Sequence, residues 1–356
     1  MVSANAQGPV RLASVGVGFW GTTLAEGARA AGNVKIVACY APTEAHARDF
    51  AARYGCAVAP SYEAILADPQ VEGVLLTTPN SLHRAQIEAA AQHGKHVFVE
   101  KPITLTVADA QAATRICAQA GVVLAVGHQD RRTAGIRMLK SLIDSGELGQ
   151  VVGAEANIST NTGTTVTPGT WRWGREECPG GPLIQIGIHK IDDLCYLLGP
   201  IARVFGIQRH RVIAAEIDDA SVTLLEFENG AIGQLTSHYA TARIMEVRLI
   251  GTKANASYDR GLGVSIRRDA RNRAVVEVLQ LAETDPVCEE IAEFARCIRT
   301  GGRPEVGGEE ATYALAVVLA AVESNRQDRP VLVRSLLESR SETSQTGRST
   351  GGAEDR

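Results

Sequence analysis

The sequence predicts an α/β protein with two domains. The first is built on a doubly wound parallel sheet, and the second is an α+β domain built on an open, largely antiparallel sheet. Strands and helices alternate from Arg11 to Val126, which is typical of crossover units in a parallel sheet. After Gly127 the order changes to runs of strands beside a few helices. The length of 356 residues also exceeds what one ordinary hydrophobic core contains.

Five strands and five helices are predicted in the first part of the chain. Apolar runs, helical periodicity and glycine stops set their boundaries. The nearly continuous apolar stretch Val122–Val126 is typical of a strand covered on both faces. The predicted strands span 11–17, 34–39, 71–77, 96–100 and 122–126, and the predicted helices span 19–31, 43–54, 61–67, 81–93 and 106–120.

The second part is predicted to contain mainly strands. A loop rich in Thr, Gly and Pro covers residues 161–182, and loops of this length are often functional. Asn229-Gly230 indicates a hairpin between two predicted strands. The predicted strands span 151–160, 202–210, 220–228, 231–239, 245–251 and 331–333, and the predicted helices span 134–144, 183–198, 288–299 and 310–326.

These patterns divide the chain into four parts. We expect an N-terminal extension over residues 1–10, a first domain over 11–128 and a second domain over 129–334. Residues 335–356 are polar with almost no apolar side chains, so they are predicted to form a disordered tail.

Composition excludes several classes of partner. The net charge of −4 argues against a nucleic-acid binder, which normally carries a basic face. No apolar run approaches the roughly 20 residues that span a bilayer, and the N-terminus lacks the apolar core of a signal peptide. We therefore expect a cytoplasmic protein. The seven cysteines are scattered without a CxxC pair, so neither a disulfide framework nor a metal site is expected.

A glycine-rich loop follows the first predicted strand. Gly16, Gly18 and Gly21 fit the GxGxxG pattern and enclose Phe19 and Trp20. This spacing permits a tight turn, close approach to a pyrophosphate and close packing of helix on strand. An ordinary strand–helix turn is the alternative. A second strand is predicted directly after the helix, however, and this order favours a dinucleotide-binding Rossmann domain.

The tip of the second strand decides between two forms of the dinucleotide. An acidic residue at this tip normally binds the ribose hydroxyls of NAD. Ala41 and its neighbours between Cys39 and Thr43 include neither a carboxylate nor an arginine. Lack of the carboxylate favours NADP, whereas Glu44 just beyond the tip leaves NAD open.

Two further clusters stand at the ends of predicted parallel strands, the edge where such sheets bind ligands. Thr78, Pro79, Asn80 and His83 belong to the first cluster, which runs from Thr77 to His83. The second cluster is Gly94-Lys95-His96-Val97-Phe98-Val99-Glu100-Lys101-Pro102.

With these motifs the chain resembles the family of glucose–fructose oxidoreductase and inositol dehydrogenase from Arg11 to about Val333. The resemblance implies that residues 11–128 bind NAD or NADP and that 129–334 carry the substrate and oligomer contacts. It also implies oxidation or reduction of sugars, cyclitols and related polyols. The family's open sheet often mediates homodimers or homotetramers.

The resemblance gives Lys101 and Glu100 the roles of the family's Glu-Lys-Pro motif. Lys101 stabilises the developing charge on the substrate oxygen beside the nicotinamide. Glu100 orients the ribose and the lysine. For His83 a cofactor contact and a purely structural role within its helix remain equally open.

The third cluster begins the helix after the long loop. Gln185 and His189 are four residues apart and share one helix face. Many family members carry an aspartate where this chain has Gln185, and glutamine does not titrate. We therefore assign proton transfer to Lys101 and His189, and substrate positioning to Gln185. Asp192 or Asp193 could orient the imidazole, although a solvated helix face is the expectation for Asp193.

Three more residues are candidate substrate contacts. Trp171 and Arg172 lie in the long loop, where the family often has Trp-Arg; tryptophan stacks on sugar faces and arginine binds hydroxyls or acids. A role in pinning the loop to the core is the alternative for the tryptophan. Gln129 lies at the predicted domain junction.

The predicted function is hydride transfer between NAD(P) and a secondary hydroxyl or ketone of a sugar, cyclitol or related cyclic polyol. Two alternatives remain open at this point. One is a non-catalytic NAD(P)-dependent sensor, motivated by the missing aspartate. The other is an eliminating enzyme that uses the redox step transiently on a glycoside.

Overall fold

The computed structural model describes residues 8–270 and 273–338. Its first six strands form one parallel sheet, which confirms the predicted doubly wound architecture. The strand order is β3-β2-β1-β4-β5-β6, so the direction of winding reverses between β1 and β4. Ligand crevices form at such a reversal. The strands are β1 (Val10–Val15), β2 (Val34–Tyr40), β3 (Ala57–Val58), β4 (Gly73–Leu76), β5 (His96–Glu100) and β6 (Leu124–Gly127).

Helices between these strands begin and end within two residues of the predicted bounds. Thr106 accepts the backbone N–H of Asp109 at the start of one helix, and Gly121 ends it in the left-handed conformation at φ +67°. The helices are α1 (Phe19–Ala31), α2 (Glu44–Tyr54), α3 (Tyr62–Ala67), α4 (His83–Gln92) and α5 (Val107–Ala120).

The second sheet has nine strands in the described ranges and is antiparallel except where β10 pairs with β7. This confirms the predicted largely antiparallel sheet, although only six of these strands were predicted. The predicted Asn229-Gly230 turn joins β9 to β10, with Gly230 at φ +86°. The order is β14-β13-β12-β11-β7-β10-β9-β8-β15. The strands are β7 (Val151–Ser159), β8 (Ile201–Arg209), β9 (Ala220–Phe227), β10 (Ile232–His238), β11 (Ile244–Gly251), β12 (Asn255–Asp259), β13 (Gly263–Ala270), β14 (Arg273–Leu279) and β15 (Val331–Leu332).

Helices of the second part do not all pack on the second sheet. One of them, α8 (Pro286–Thr300), covers a face of the first sheet, where Phe294 meets Phe98 edge-to-face at 5.8 Å. Although α8 follows residue 129 in the chain, it therefore packs with the first domain. The other helices are α6 (Ala134–Asp144), α7 (Ile188–Leu198), α9 (Gly308–Gln327) and α10 (Val333–Glu338).

The predicted tail is wrong at its start. Residues 335–338 belong to α10, and its Val333 is buried in the core. The rest of that tail and residues 1–7 of the predicted extension lie outside the described residues. No helix within the described ranges is both long enough and apolar enough to cross a lipid bilayer.

Candidate active site

The glycine loop between β1 and α1 is tightly packed on one side and open on the other. Gly16 has φ +92°, and a Cβ there would lie 2.6 Å from the Thr77 hydroxyl. A Cβ on Gly21 would lie 2.3 Å from the Gly16 carbonyl oxygen. At Gly18 the same position has no neighbour within 4 Å, and no side chain caps α1 there. Open backbone and free helix N–H groups fit a dinucleotide pyrophosphate.

Aromatic residues flank this opening in the first turn of α1. Phe19 is 79% exposed and meets the half-buried Trp20 edge-to-face at 5.6 Å. At the tip of β2, Ala41 is half-buried and is followed by an exposed ion pair of 2.6 Å between Glu44 and Arg48. The tip itself carries no charge, as the sequence indicated.

The loop after β4 is bound to the long loop of the second part. Asn80 is buried and its amide donates to the Glu177 carbonyl at 2.9 Å, while the backbone N–H of Ser81 donates to the Glu177 carboxylate at 3.0 Å. Thr78 and Pro79 are half-buried beside it. These contacts hold the predicted cofactor loop against the predicted substrate loop.

The contacts of His83 favour the structural role, one of the two that the sequence left open. Its side chain is fully buried, with Nδ1 2.8 Å from the Pro102 carbonyl and Nε2 3.1 Å from the Thr78 carbonyl. Burial lowers the pKa of this imidazole. Because both ring nitrogens face the protein backbone, His83 joins the two predicted cofactor loops and has no free edge for a ligand.

Lys101 links the first domain to the helix that carries the third cluster. Its Nζ donates to the Gln185 backbone carbonyl at 2.5 Å. Burial lowers the pKa of the ammonium, and the neighbouring Glu100 opposes this effect. A lysine with a lowered pKa and two further N–H donors is suited to proton exchange with a bound hydroxyl.

Glu100 and Glu290 are both buried, and the Glu100 carboxyl acts electrostatically on that of Glu290. Both carboxyl oxygens of Glu100 lack a hydrogen-bond partner within the described ranges, and so does Oε1 of Glu290. Burial raises the pKa of Glu100 to about 7, and burial together with Glu100 raises the pKa of Glu290 well above its ordinary value. Sequence reasoning missed Glu290 because α8 lies almost 190 residues further along the chain.

The predicted helix 183–198 begins as a π-helix over Leu183–Gly187, a form that is frequent at functional sites. Gln185 lies in this turn and is buried. Its amide donates to the Cys178 sulfur at 2.9 Å, and its Oε1 accepts from the Arg172 Nε at 3.4 Å. The substrate-positioning candidate is therefore held in one orientation.

His189 follows in the first turn of α7 and is buried. Burial lowers the pKa of its imidazole well below the ordinary value, and the Lys101 ammonium lowers it further. The ring is therefore neutral near pH 7, and its Nδ1 has no partner in the described part of the chain. His128 meets it edge-to-face at 5.6 Å and also lacks ring partners there.

Neither Asp192 nor Asp193 orients this imidazole. Asp192 accepts two hydrogen bonds from Arg131, at 2.7 and 2.5 Å. Asp193 is fully buried rather than solvated and pairs with Lys190 at 2.7 Å. Lys190 also reaches Asp130 at 3.1 Å. These expectations are wrong because α7 has its polar face against the segment after β6, not against water.

The remaining candidates line the same cleft. The Arg172 guanidinium stacks over the Trp171 ring at 4.1 Å, and both side chains are half-buried. Trp171 also packs on the core, so the loop-pinning role is present. Gln129 is half-buried, and its side-chain oxygen has no partner among the described residues.

Glu100 makes stability depend on pH in a defined direction. Its pKa is about 7 in the fold against 4.5 ordinarily, so the fold favours the protonated carboxyl and loses stability as pH rises from about 4.5 to above 7. Glu100→Gln abolishes that loss. In urea unfolding without cofactor, the free energy of unfolding of the variant relative to that of the parent should therefore rise by up to about 3 kcal/mol between pH 5 and pH 8. The exposed Glu283→Gln is the control, and a gain independent of pH would contradict the assignment.

Comparison with known proteins places both parts of the chain in one family. Residues 10–128 match the oxidoreductase family's NAD-binding Rossmann fold, and residues 140–333 match its C-terminal α/β domain. The scyllo-inositol 2-dehydrogenase (NAD(+)) of Bacillus subtilis is 30% identical, over 75% of this chain and 79% of that protein. The 1,5-anhydro-D-fructose reductase of Ensifer adhaerens is 28% identical, over 74% of this chain and 80% of that protein.

A solved structure agrees over almost the whole chain. It is an oxidoreductase from Desulfitobacterium hafniense that is described as NADPH-dependent, with a TM-score of 0.88 and 35% identity. The match covers 93% of this chain and 99% of that one. The resemblance seen in the motifs is thus confirmed, and the chain belongs to the glucose–fructose oxidoreductase and inositol dehydrogenase family of NAD(P)-dependent oxidoreductases.

Proposed function

We propose that this enzyme transfers a hydride between NAD(P) and a secondary hydroxyl or ketone of a sugar, cyclitol or related cyclic polyol. The observation that carries the proposal is the Lys101–Gln185 contact, which brings a half-buried ammonium from the Rossmann domain onto the turn that leads into His189. The names of the inositol dehydrogenase and anhydrofructose reductase relatives support the substrate class.

Lys101 and His189 divide the proton chemistry. In the oxidative direction a nicotinamide held by the glycine loop would supply the hydride acceptor for the carbinol carbon, and the protein's own groups take up the hydroxyl proton. A neutral His189 accepts that proton, while the Lys101 ammonium stabilises the negative charge that grows on the oxygen. In the reductive direction the same groups return the proton.

NADP is the proposed cofactor. The loop of Gly16, Gly18 and Gly21 would hold the pyrophosphate, because its backbone is open at Gly18 and the start of α1 has no side-chain cap, and Thr78 and Pro79 would flank the dinucleotide. The uncharged tip at Ala41 presents no carboxylate to repel a 2′-phosphate. The Desulfitobacterium hafniense relative, described as NADPH-dependent, supports the same choice.

Replacement of Lys101 tests the proposal. Lys101→Met should lower kcat on the best polyol by at least about 1,000-fold because the oxygen loses its charged donor. Fluorescence titration should still show NADPH binding, since the glycine loop is unchanged. The measurement is nicotinamide absorbance over a panel of sugars, cyclitols and cyclic diols with both cofactors. The exposed Lys35→Met serves as the matched control.

Three results would contradict parts of this assignment. Undiminished turnover in Lys101→Met would remove the lysine from the chemistry. Product formation without net change in NADPH would indicate elimination through a transient redox step. Ligand binding without turnover of any compound would indicate a sensor.

We also propose that the chain forms a homodimer or homotetramer through the uncovered face of the second sheet. Val152, Leu224 and Ile232 are exposed there around a groove of about 700 Å³, and such apolar surface usually marks a protein contact. Ile232→Lys should therefore yield a smaller species in sedimentation velocity runs. The loop variant Val212→Lys is the control, and an unchanged sedimentation coefficient for Ile232→Lys would contradict this interface.

A further inference from the structure

The candidate cleft contains an arginine without a charged partner. Arg172 donates through Nε to the neutral Gln185 side chain at 3.4 Å and stacks on Trp171 at 4.1 Å. Within residues 8–270 and 273–338, no carboxylate lies within 4 Å of its guanidinium nitrogens. Its two terminal nitrogens have no protein hydrogen bond in these ranges, so their fork is free to bind a ligand.

Other titratable groups near Arg172 do not neutralise it. Lys101 adds a second positive charge, and its Nζ bonds only to a backbone carbonyl. Burial raises the pKa of the Cys178 thiol to about 12 and keeps the His189 imidazole neutral. Glu100 acts on both cations, but its pKa of about 7 leaves it only partly ionised at neutral pH. Asp130 also acts on Lys101 but pairs with Lys190, and the Glu177 carboxylate accepts the backbone N–H of Ser81. Among the described residues, the Arg172 guanidinium therefore has no ion-pair partner.

Gln185 leaves the Arg172 guanidinium without a carboxylate beside it. Its amide nitrogen is held by the Cys178 sulfur at 2.9 Å, which turns Oε1 towards Arg172. An aspartate at this position would place a carboxylate beside the guanidinium and cancel its charge. The glutamine fills the same space, satisfies the Nε donor and leaves the positive charge uncompensated.

We infer that the substrate is a cyclic polyol that bears a carboxylate, a sugar acid, and that Arg172 binds this carboxylate. The inference rests on the proposed function and narrows its substrate class. Planar guanidinium matches a carboxylate in a bidentate fork. A single negative charge fits because, among the cleft residues that the structure describes, Arg172 is the cation without a carboxylate partner once Lys101 is engaged at the reacting oxygen. Hydride and proton leave the carbinol carbon and its hydroxyl, and the carboxylate itself is unchanged.

The test measures binding separately from turnover. Isothermal titration of the NADPH-saturated enzyme compares methyl glucuronide and methyl galacturonide with the matching neutral methyl glycosides. These acids contain no free carbonyl, so reduced cofactor does not convert them. At least one acid should bind 10-fold or more tightly than its neutral partner. Arg172→Gln should abolish the difference and Gln185→Asp should reduce it, whereas Arg175→Gln, an exposed arginine of the same loop, should preserve it.

Several outcomes overturn the inference. They are equal binding of acids and neutral glycosides, no binding of either, a preference that survives in Arg172→Gln, or stronger binding of the methyl glycoside 6-phosphates. Turnover of neutral polyols with no acid preference would leave the proposed function intact while refuting this inference. Arg172-dependent binding of an acid without hydride transfer from any polyol would refute the proposed function instead.

Discussion

The arrangement of the cleft depends on a buried ionic network between α7 and the segment that follows β6. Lys190 lies between Asp130 and Asp193, and Arg131 pairs with Asp192 through two hydrogen bonds. Although burial opposes ionisation of Lys190, the two aspartates raise the pKa of its ammonium. Removal of one partner from such a buried pair costs about 3–5 kcal/mol. These residues therefore hold α7 rigidly, and α7 sets the position of the imidazole that faces the lysine.

Several buried polar atoms near Lys101 have no hydrogen-bond partner in the described ranges. Glu100, Gln129, His128 and His189 all contain buried side-chain atoms that lack a protein partner in the described ranges. Folded proteins seldom leave buried polar groups unsatisfied, because each costs about 1–3 kcal/mol. Their clustering beside Lys101 is consistent with groups that a cofactor and a polyhydroxylated ligand would satisfy. The ionic network thus fixes α7, while the neighbouring unpartnered atoms remain as hydrogen-bond donors and acceptors for the ligand.

The sequence predicted the parts of the site that local spacing specifies, namely the glycine turn, the Glu-Lys-Pro end of β5 and the face shared by Gln185 and His189. It did not predict contacts that depend on packing between distant elements. Such packing buries both ring nitrogens of His83 and keeps Asp193 away from solvent. It also brings Glu290 near enough to Glu100 for their carboxyl groups to interact. β3, β12 and the hairpin of β13 and β14 were also missed. β3 has only two residues, and the valines of β14 are exposed and do not face a core. Exposed strands carry little periodic signal.

The central claim is direct hydride transfer in a cleft where Lys101 and His189 manage the proton. It is tested most directly with the best polyol deuterated at its reacting carbon, followed by mass spectrometry of the cofactor. The account predicts that each turnover places one deuterium on the nicotinamide ring and forms one ketone, with a primary isotope effect under single-turnover conditions. Deuterium that is released to water or returned to the product, with the cofactor unlabelled, would contradict it.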